Sequence, residues 1–344
     1  MEKAVEFWRQ VFSVYTSRQL VFFDPLDPAN IYSVLEVESE KNLRRRIQAE
    51  KNKIITAHKI REDRVRVQRG VRERFAEGLA RSGRYIEQMQ QIFRQEGLPV
   101  ELTYLPLVES SFNINARSNA GAVGMWQFLK STGRRFLRVD RHLDERKDPL
   151  ESTRAAALLL KENYEALGSW PLAVTAYNHG AEGLSRAIAK VGSRELTDLI
   201  RRYQSRTWGF ASKNFYAEFL AAVEVAKNGE QYFPGLEYHR SYRLEELELD
   251  KATKIGAVLK STGIGHKDFF ELNPALSSKI GIVPVGYKMK IPAKTPAIPS
   301  PVVTTVPLQP PLEIPAATTE PTVVHHQESK DSTSATDLFP EDSP

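Results

Sequence analysis

The sequence contains no cysteine among its 344 residues. That excludes disulfides, thiolate metal sites and a cysteine nucleophile. It says little about compartment, because an envelope protein need not contain disulfides. No run of about 18 apolar residues exists, so no segment reads as a membrane-spanning helix. No secretory signal is visible either. The first residues, "MEKAVEFWRQVF", read as an amphipathic helix, with Val5, Trp8, Phe12 and Tyr15 at helical spacing. Basic residues outnumber acidic ones in most of the chain. Residues 295–344 hold seven acids and one base, so of the net charge of +5 this tail contributes −6 and residues 1–294 contribute +11. A basic body suits a polyanionic partner: nucleic acid, an anionic membrane or an acidic cell-wall polymer.

What is present suffices for two domains and a tail, since 41% of the residues are hydrophobic and 26% charged. Residues 1–95 read as helical. Between Arg44 and Arg74 lie twelve Lys/Arg and four acids, with Ile54, Ile55, Ile60, Val65, Val67 and Val71 interspersed. Two readings compete, a nucleic-acid-binding helix and a long helix with a solvated basic face. The second is favoured because no groove-reading motif accompanies the charge. In residues 96–235, Pro106 suits a helix start and the helix should stop near Glu109–Ser111. "SSFNINARSNAGAVG" is rich in turn formers, with room for a small β element. "MWQFLKSTGRRFL" should resume helix. "DPLESTRAAALLLKENYEAL" is a helix with Pro149 near its start. "SWPLAVTAYNHGAEGLSRAI" reads as helix, a turn over Gly180 and Gly183, then helix. "SKNFYAEFLAAVEVAKNG" is a final helix ending at Gly229. Residues 236–294 read strand, helix, Gly-rich turn, helix, loop, strand. Residues 295–344 hold ten of the twenty prolines and read as disordered, and the pair His325–His326 there is weak evidence for metal.

The stretch "LPLVESSFNINARSNAGAVGMWQF" carries one acid, Glu109. A lone Glu beside an apolar stripe usually faces water. Here Tyr104, Leu105, Val108 and Phe112 can surround it with apolar material, and a helix ending beside it would oppose the anion. Both effects raise a carboxyl pKa. A protonated carboxylic acid is what cleavage of a glycosidic bond needs, because the leaving oxygen must receive a proton. Hydrolytic glycosidases usually pair two carboxylates. The nearest acids in sequence, Glu101 and Asp140, stand in no motif. A second acid brought close by folding, and a reaction run by one acid/base with a nucleophile from the substrate, both stay open.

Four elements in order then carry a resemblance: Glu109-Ser110, Ser118 ahead of Gly121-Ala122, Gly124-Met125-Trp126-Gln127, and Ala176-Tyr177-Asn178-His179-Gly180. This pattern resembles the lytic transglycosylases, lysozyme-like enzymes that cleave bacterial peptidoglycan. The N-terminal "VEFWRQVFSVYTSRQLVFFD" and the C-terminal segment look like the membrane-bound D type, and the resemblance covers most of residues 1–294. It implies a mainly α, goose-type lysozyme-like catalytic domain and a carbon–oxygen lyase activity. A single Glu, matched by Glu109, would protonate the oxygen between N-acetylmuramic acid and N-acetylglucosamine. It would then take the proton of the muramic C6 hydroxyl as that hydroxyl attacks C1, leaving a 1,6-anhydromuramyl end.

The same resemblance assigns substrate contacts to Ser110, Ser118, Met125, Gln127, Tyr177 and Asn178, with the Tyr177 hydroxyl able to bond the catalytic acid. In "NFYAEFLAA", Phe215 stands where the family often has Tyr, with Tyr216 beside it, so either Tyr216 supplies the groove contact or the contact is lost. Trp126 would stack on a sugar or pack. Residues 243–293 resemble a LysM module, a small βααβ glycan-binding fold, through "DFFELNPAL" and "VPVGYKMKIPA", although the opening is degenerate. A structural cap is the competing reading.

The expected division is 1–85, helices packing on the catalytic domain; 86–235, catalytic; 236–294, LysM-like; 295–344, disordered. Cutting after about residue 236 should leave the catalytic domain folded. No cofactor or metal is expected. The expected partner is peptidoglycan glycan strands and not nucleic acid, with peripheral association with membrane or wall and oligomeric state open. The expected location is the periplasm or envelope, reached through a leader upstream of the sequence given. The alternative from another class is a non-catalytic peptidoglycan-binding protein on the same fold.

Overall fold

In the computed structural model, which describes residues 1–293, the N-terminal stretch read as all helix contains a sheet. After helix α1 (Glu2–Ser13), strands β1 (Gln19–Asp24) and β2 (Asp27–Glu36) form an antiparallel hairpin. β3 (Arg66–Arg69) pairs on the other side of β1, giving the order β2-β1-β3. The reason lies in "QLVFFD". Val21 and Phe23 enter the main core with α1, while Leu20 and Phe22 enter a second core against Leu43 and Ile54 of helix α2 (Leu43–His58). A central strand apolar on both faces has no period-two alternation, so its apolar run is easily read as helix. The hairpin turn is closed by an Asx bond, with Leu26 N–H donating to Asp24 Oδ1 at 3.0 Å. The basic run is likewise not one helix. α2 stops at His58 with Lys59 left-handed at φ 51, and the remaining charge is spread over β3 and the start of α3 (Arg72–Ser82). Arg64 closes the hairpin by pairing with the buried Asp24.

The body is mainly α, as expected. It continues through α4 (Ile86–Gln95), α5 (Leu105–Glu109), α6 (Lys130–Gly133), α7 (Pro149–Leu167), α8 (Trp170–His179), α9 (Ala181–Val191), α10 (Leu196–Arg202), α11 (Phe210–Lys227) and α12 (Gly229–Tyr232). α7 has its ends set by sequence. Asp148 caps it by accepting from the N–H groups of Leu150 and Glu151, both at 3.0 Å, and Gly168 ends it at φ 77. α11 runs between α1, α5 and α8 and supplies Phe215, Phe219, Ala221, Ala222 and Val225 to the core. Two boundaries differ from expectation. "MWQF" is not helix but a turn with an isolated bridge, and Gly183 lies inside α9, which starts straight after Gly180.

Residues 244–292 hold β4 (Leu244–Glu248), β5 (Thr253–Lys254), α13 (Ile255–Thr262), α14 (His266–Leu272), β6 (Ile282–Val283) and β7 (Lys288–Pro292). β4 pairs antiparallel with β7, and β5 with β6. The four side-chain hydrogen-bond positions of Asn273, at 0% exposure, are all used internally. Its Oδ1 accepts from Lys290 N and Tyr287 Oη, and its Nδ2 donates to the carbonyls of Phe269 and Lys290. The Leu-Asn-Pro signature therefore staples this unit's closing strand.

The unit is also fastened to the body. Leu143 from the body sits in its core, Asp144 N–H donates to Ala275 O at 2.9 Å, and Ser277 N–H donates to His142 O at 2.9 Å. Lys290 Nζ meets Asp148 Oδ2 at 2.6 Å with both side chains essentially without solvent, at 1% and 0% exposure. A cut near residue 236 would uncover Leu143 and remove the cation that meets Asp148. The tail assigned to 295–344, with His325 and His326, lies outside the described residues, as does Lys294.

Candidate active site

Glu109 is the last residue of α5, which follows a 3₁₀ turn over Val100–Tyr104, and its side chain is 4% exposed. Pro106 sits in the first turn of α5, where its missing N–H costs nothing, and its carbonyl accepts from the N–H groups of Ser110 and Phe112 at 3.1 and 3.0 Å. The helix stops because the next residues leave helical space. Ser110 has φ −149, and Ser111 and Phe112 are left-handed at φ 53 and 56. The carboxyl thus stands at the carbonyl end of the helix, where the backbone dipole opposes an anion.

The small-residue loop then folds over this end. Bridges Arg117–Val123 and Val123–Phe128 supply the small β element the sequence allowed. Gly124, at φ 85, is required by space: a Cβ there would lie 1.8 Å from Arg146 O. Arg146, 6% exposed, is the internal clamp of the loop. It donates to Gly121 O and Phe128 O while pairing with Asp144 at 2.9 Å.

The expected site residues divide by what their side chains already do. Ser110 is buried and donates to Met125 O at 2.8 Å, so its hydroxyl ties the helix end to the loop and is not offered to a ligand. Met125 is 1% exposed in the main core. Trp126, at 0%, packs, with its ring stacked on Phe93 and Nε1–H donating to Thr153 Oγ1 at 2.9 Å. Phe215, at 0%, is core and cannot line a groove; the lost Tyr hydroxyl would have pointed into apolar packing. Of the residues expected to contact substrate, Ser110, Met125 and Phe215 thus have internal side chains. Asn178 is nearly buried, and its Oδ1 accepts from Ser212 Oγ, which also meets His179 Nδ1, both at 3.1 Å.

Four residues keep partial exposure: Ser118, Gln127, Tyr177 and Tyr216. The Ser118 hydroxyl accepts from Ala122 N–H at 3.0 Å and retains its own proton to donate. Gln127, at φ 49, donates to Gly124 O at 2.7 Å, and its Oε1 is buried with no partner. Tyr177 donates its one hydroxyl proton to Trp126 O at 2.7 Å, which corrects the expectation that this proton serves the acid. Burial, and after it the charge of Glu109, push the Tyr177 hydroxyl well above the ordinary phenol range. The two groups therefore share one low-dielectric pocket. Tyr216 lies between the main core and the core of α8–α10, with burial pushing its hydroxyl up.

Sequence reasoning missed Arg146, Ser212 and two residues of α3, Gly78 and Arg81, which touch the turn after Glu109. Arg146 and Ser212 lie in segments with no motif. Gly78 and Arg81 lie past the basic run of Arg44–Arg74, in residues read only as helical. Among the described residues no group of His, Cys, Asp and Glu is placed to hold a metal ion.

Residues 85–200 match the family described as Transglycosylase SLT domain. The matched segment is 116 of the 344 residues. It contains Glu109, the glycine loop and Tyr177, and it leaves out α3, α11 and the C-terminal unit. The chain is 34% identical over 145 residues to a membrane-bound lytic murein transglycosylase D of Escherichia coli (strain K12), covering 40% of this chain and 30% of that protein. It is 32% identical over 117 residues to a putative tributyltin chloride resistance protein of Alteromonas sp. (strain M-1), covering 33% of this chain and 56% of that one. The chain thus spans 30% and 56% of the lengths of these relatives. A partial likeness extends to the X-ray structure of an inactive mutant of lytic transglycosylase Slt from Pseudomonas aeruginosa, at 18% identity and TM-score 0.36, covering 45% of this chain and 25% of that one. No described helix is long and apolar enough to cross a membrane.

Proposed function

We propose that the protein is a lytic transglycosylase of the cell envelope that cleaves the β-1,4 bond between N-acetylmuramic acid and N-acetylglucosamine, with Glu109 as its single acid and then base. The observation that carries this is the placement of Glu109. It is a carboxyl at 4% exposure, at the carbonyl end of a helix, inside an SLT domain. Exclusion of water and the helix end both favour the neutral acid, the form that can protonate a leaving oxygen. In the first step the Glu109 proton goes to the glycosidic oxygen as the C1–O bond breaks. In the second the Glu109 carboxylate takes the C6 hydroxyl proton as O6 bonds to C1. The net change exchanges one C–O bond for another and consumes no water.

The Ser118 hydroxyl retains a proton for a hydrogen bond to a sugar, whereas the unpartnered Gln127 Oε1 is buried. Residues 86–235 would be the goose-type lysozyme-like catalytic domain, carrying 1–85 on one side and a LysM-like unit at 236–294 on the other. That unit would add glycan contacts while docked on the body. Peptidoglycan strands are the partner in this reading. The rival, a binding protein that lost catalysis, drew its support from Phe215. With that ring in the core, the substitution costs the groove nothing.

The test is incubation with purified sacculi and mass analysis of what dissolves. Anhydromuramyl ends are expected. Reducing ends would mean a hydrolase with a second acid. Binding without release would mean the rival.

A further inference from the structure

The turn after Glu109 is gripped from outside the SLT domain. Ser111 and Phe112 are consecutive non-glycine residues in left-handed space, at φ 53 and 56, a conformation that persists only where the surroundings fix it. Phe112 is fixed by core burial, at 1% exposure. Ser111 has no such anchor in its own side chain. Its carbonyl accepts from both Nε and Nη2 of Arg81, at 3.0 and 2.7 Å. Arg81 sits one turn along α3 from Gly78, where a Cβ would fall 2.8 Å from Ser111 Cβ and 3.0 Å from its Cα and O. Gly78 therefore lets α3 approach the turn, and Arg81 closes on it. Between this carbonyl and Glu109 stands Ser110, itself tied to Met125 O at 2.8 Å.

We infer that Arg81 is a positioning residue for Glu109. By forking onto the Ser111 carbonyl it holds the left-handed pair, and through it the direction in which the Glu109 carboxyl leaves the end of α5. This rests on the acid/base reading of Glu109 given above. A guanidinium can make the two-point hold because its Nε–H and Nη–H lie in one plane; a lysine ammonium gives a single contact in the same place. Arg81 also pairs with Glu77, which is exposed and 3.4 Å away, so Glu77 serves as a control that leaves the fork intact.

The experiment compares the full chain with its Arg81→Ala, Arg81→Lys and Glu77→Ala variants on soluble, uncrosslinked peptidoglycan strands. It reads kcat, KM and melting temperature. In Arg81→Ala, kcat should fall about tenfold to a hundredfold with KM within about twofold, as for a misplaced acid at an intact binding surface. Arg81→Lys should recover part of kcat, and Glu77→Ala should match the parent. Unchanged kcat in both Arg81 variants overturns the proposal, as does a raised KM with kcat kept, which would make Arg81 a substrate contact. If Arg81→Ala does not fold, Arg81→Lys decides: reduced kcat at parent KM supports the proposal and parent kcat overturns it. A parent that releases no product overturns the reading of Glu109 and this inference with it, whereas an active parent with indifferent Arg81 variants overturns this inference alone.

Discussion

Asp148 and Glu109 are both carboxylates taken out of water, at 0% and 4% exposure, and they stand at opposite kinds of helix end. Asp148 caps the amino end of α7. It accepts from two backbone N–H groups and meets Lys290 Nζ at 2.6 Å. Glu109 closes the carboxyl end of α5 beside a Tyr whose proton is already given to Trp126 O. One arrangement holds two parts of the chain together. The other holds the carboxyl proposed above as the acid. Burial alone does not say which task a carboxylate has; the polarity of the helix end and the partners do.

Ranked by effect on stability, the largest loss is expected from removing residues 236–293. The cut exposes Leu143 and takes away both the cation and the cover of Asp148, and the truncated body should melt lower than any point variant in a calorimetric scan. Lys290→Met comes next. Stranding a buried partner costs about 3–5 kcal/mol, a drop of roughly 6–20 °C for a domain of this size. Adding Asp148→Asn should restore much of that, since Asn can still cap α7 and no unpaired charge remains. A double variant as unstable as the single would break the ion-pair account.

Smaller again is a pH effect from a third buried group. Burial, and after it the charge of Arg186, push His179 down to about 4. Its folded pKa is thus below the unfolded value, so the unfolded chain takes up the proton first and stability falls as pH drops from about 6.5 to about 4. The loss is about 3 kcal/mol at most. His179→Asn should flatten chemical-denaturation stability across that window relative to the parent; an unchanged slope would refute the assignment.

The fold was legible where one physical signal acted alone. Asp148-Pro149 and Gly168 mark the ends of α7, and Pro106 together with the turn formers after Glu109 placed the end of α5. It was illegible where a segment is covered on both sides. β1 buries Val21 and Phe23 one way and Leu20 and Phe22 the other, so its alternation vanished. The turn-rich loop around Glu109 was readable from its motif. Which motif residues remain available was not, because that depends on bonds made across the fold: Ser110 to Met125 O, Tyr177 to Trp126 O, Asn178 to Ser212. Arg81 was unreadable for the same reason, since its partner is a main-chain carbonyl thirty positions away.

The contrast between the two carboxylates is tested most directly by Glu109→Gln, assayed for anhydromuropeptide release from sacculi and melted beside the parent and Lys290→Met. The variant keeps the shape of the side chain and removes its proton chemistry. The account predicts a loss of release of at least about 10²–10⁴-fold, retained sacculus binding, and a melting temperature at or above that of the parent. Release near the parent rate, or a melting temperature that falls as far as that of Lys290→Met, would show that Glu109 does structural work of the Asp148 kind and that the acid lies elsewhere.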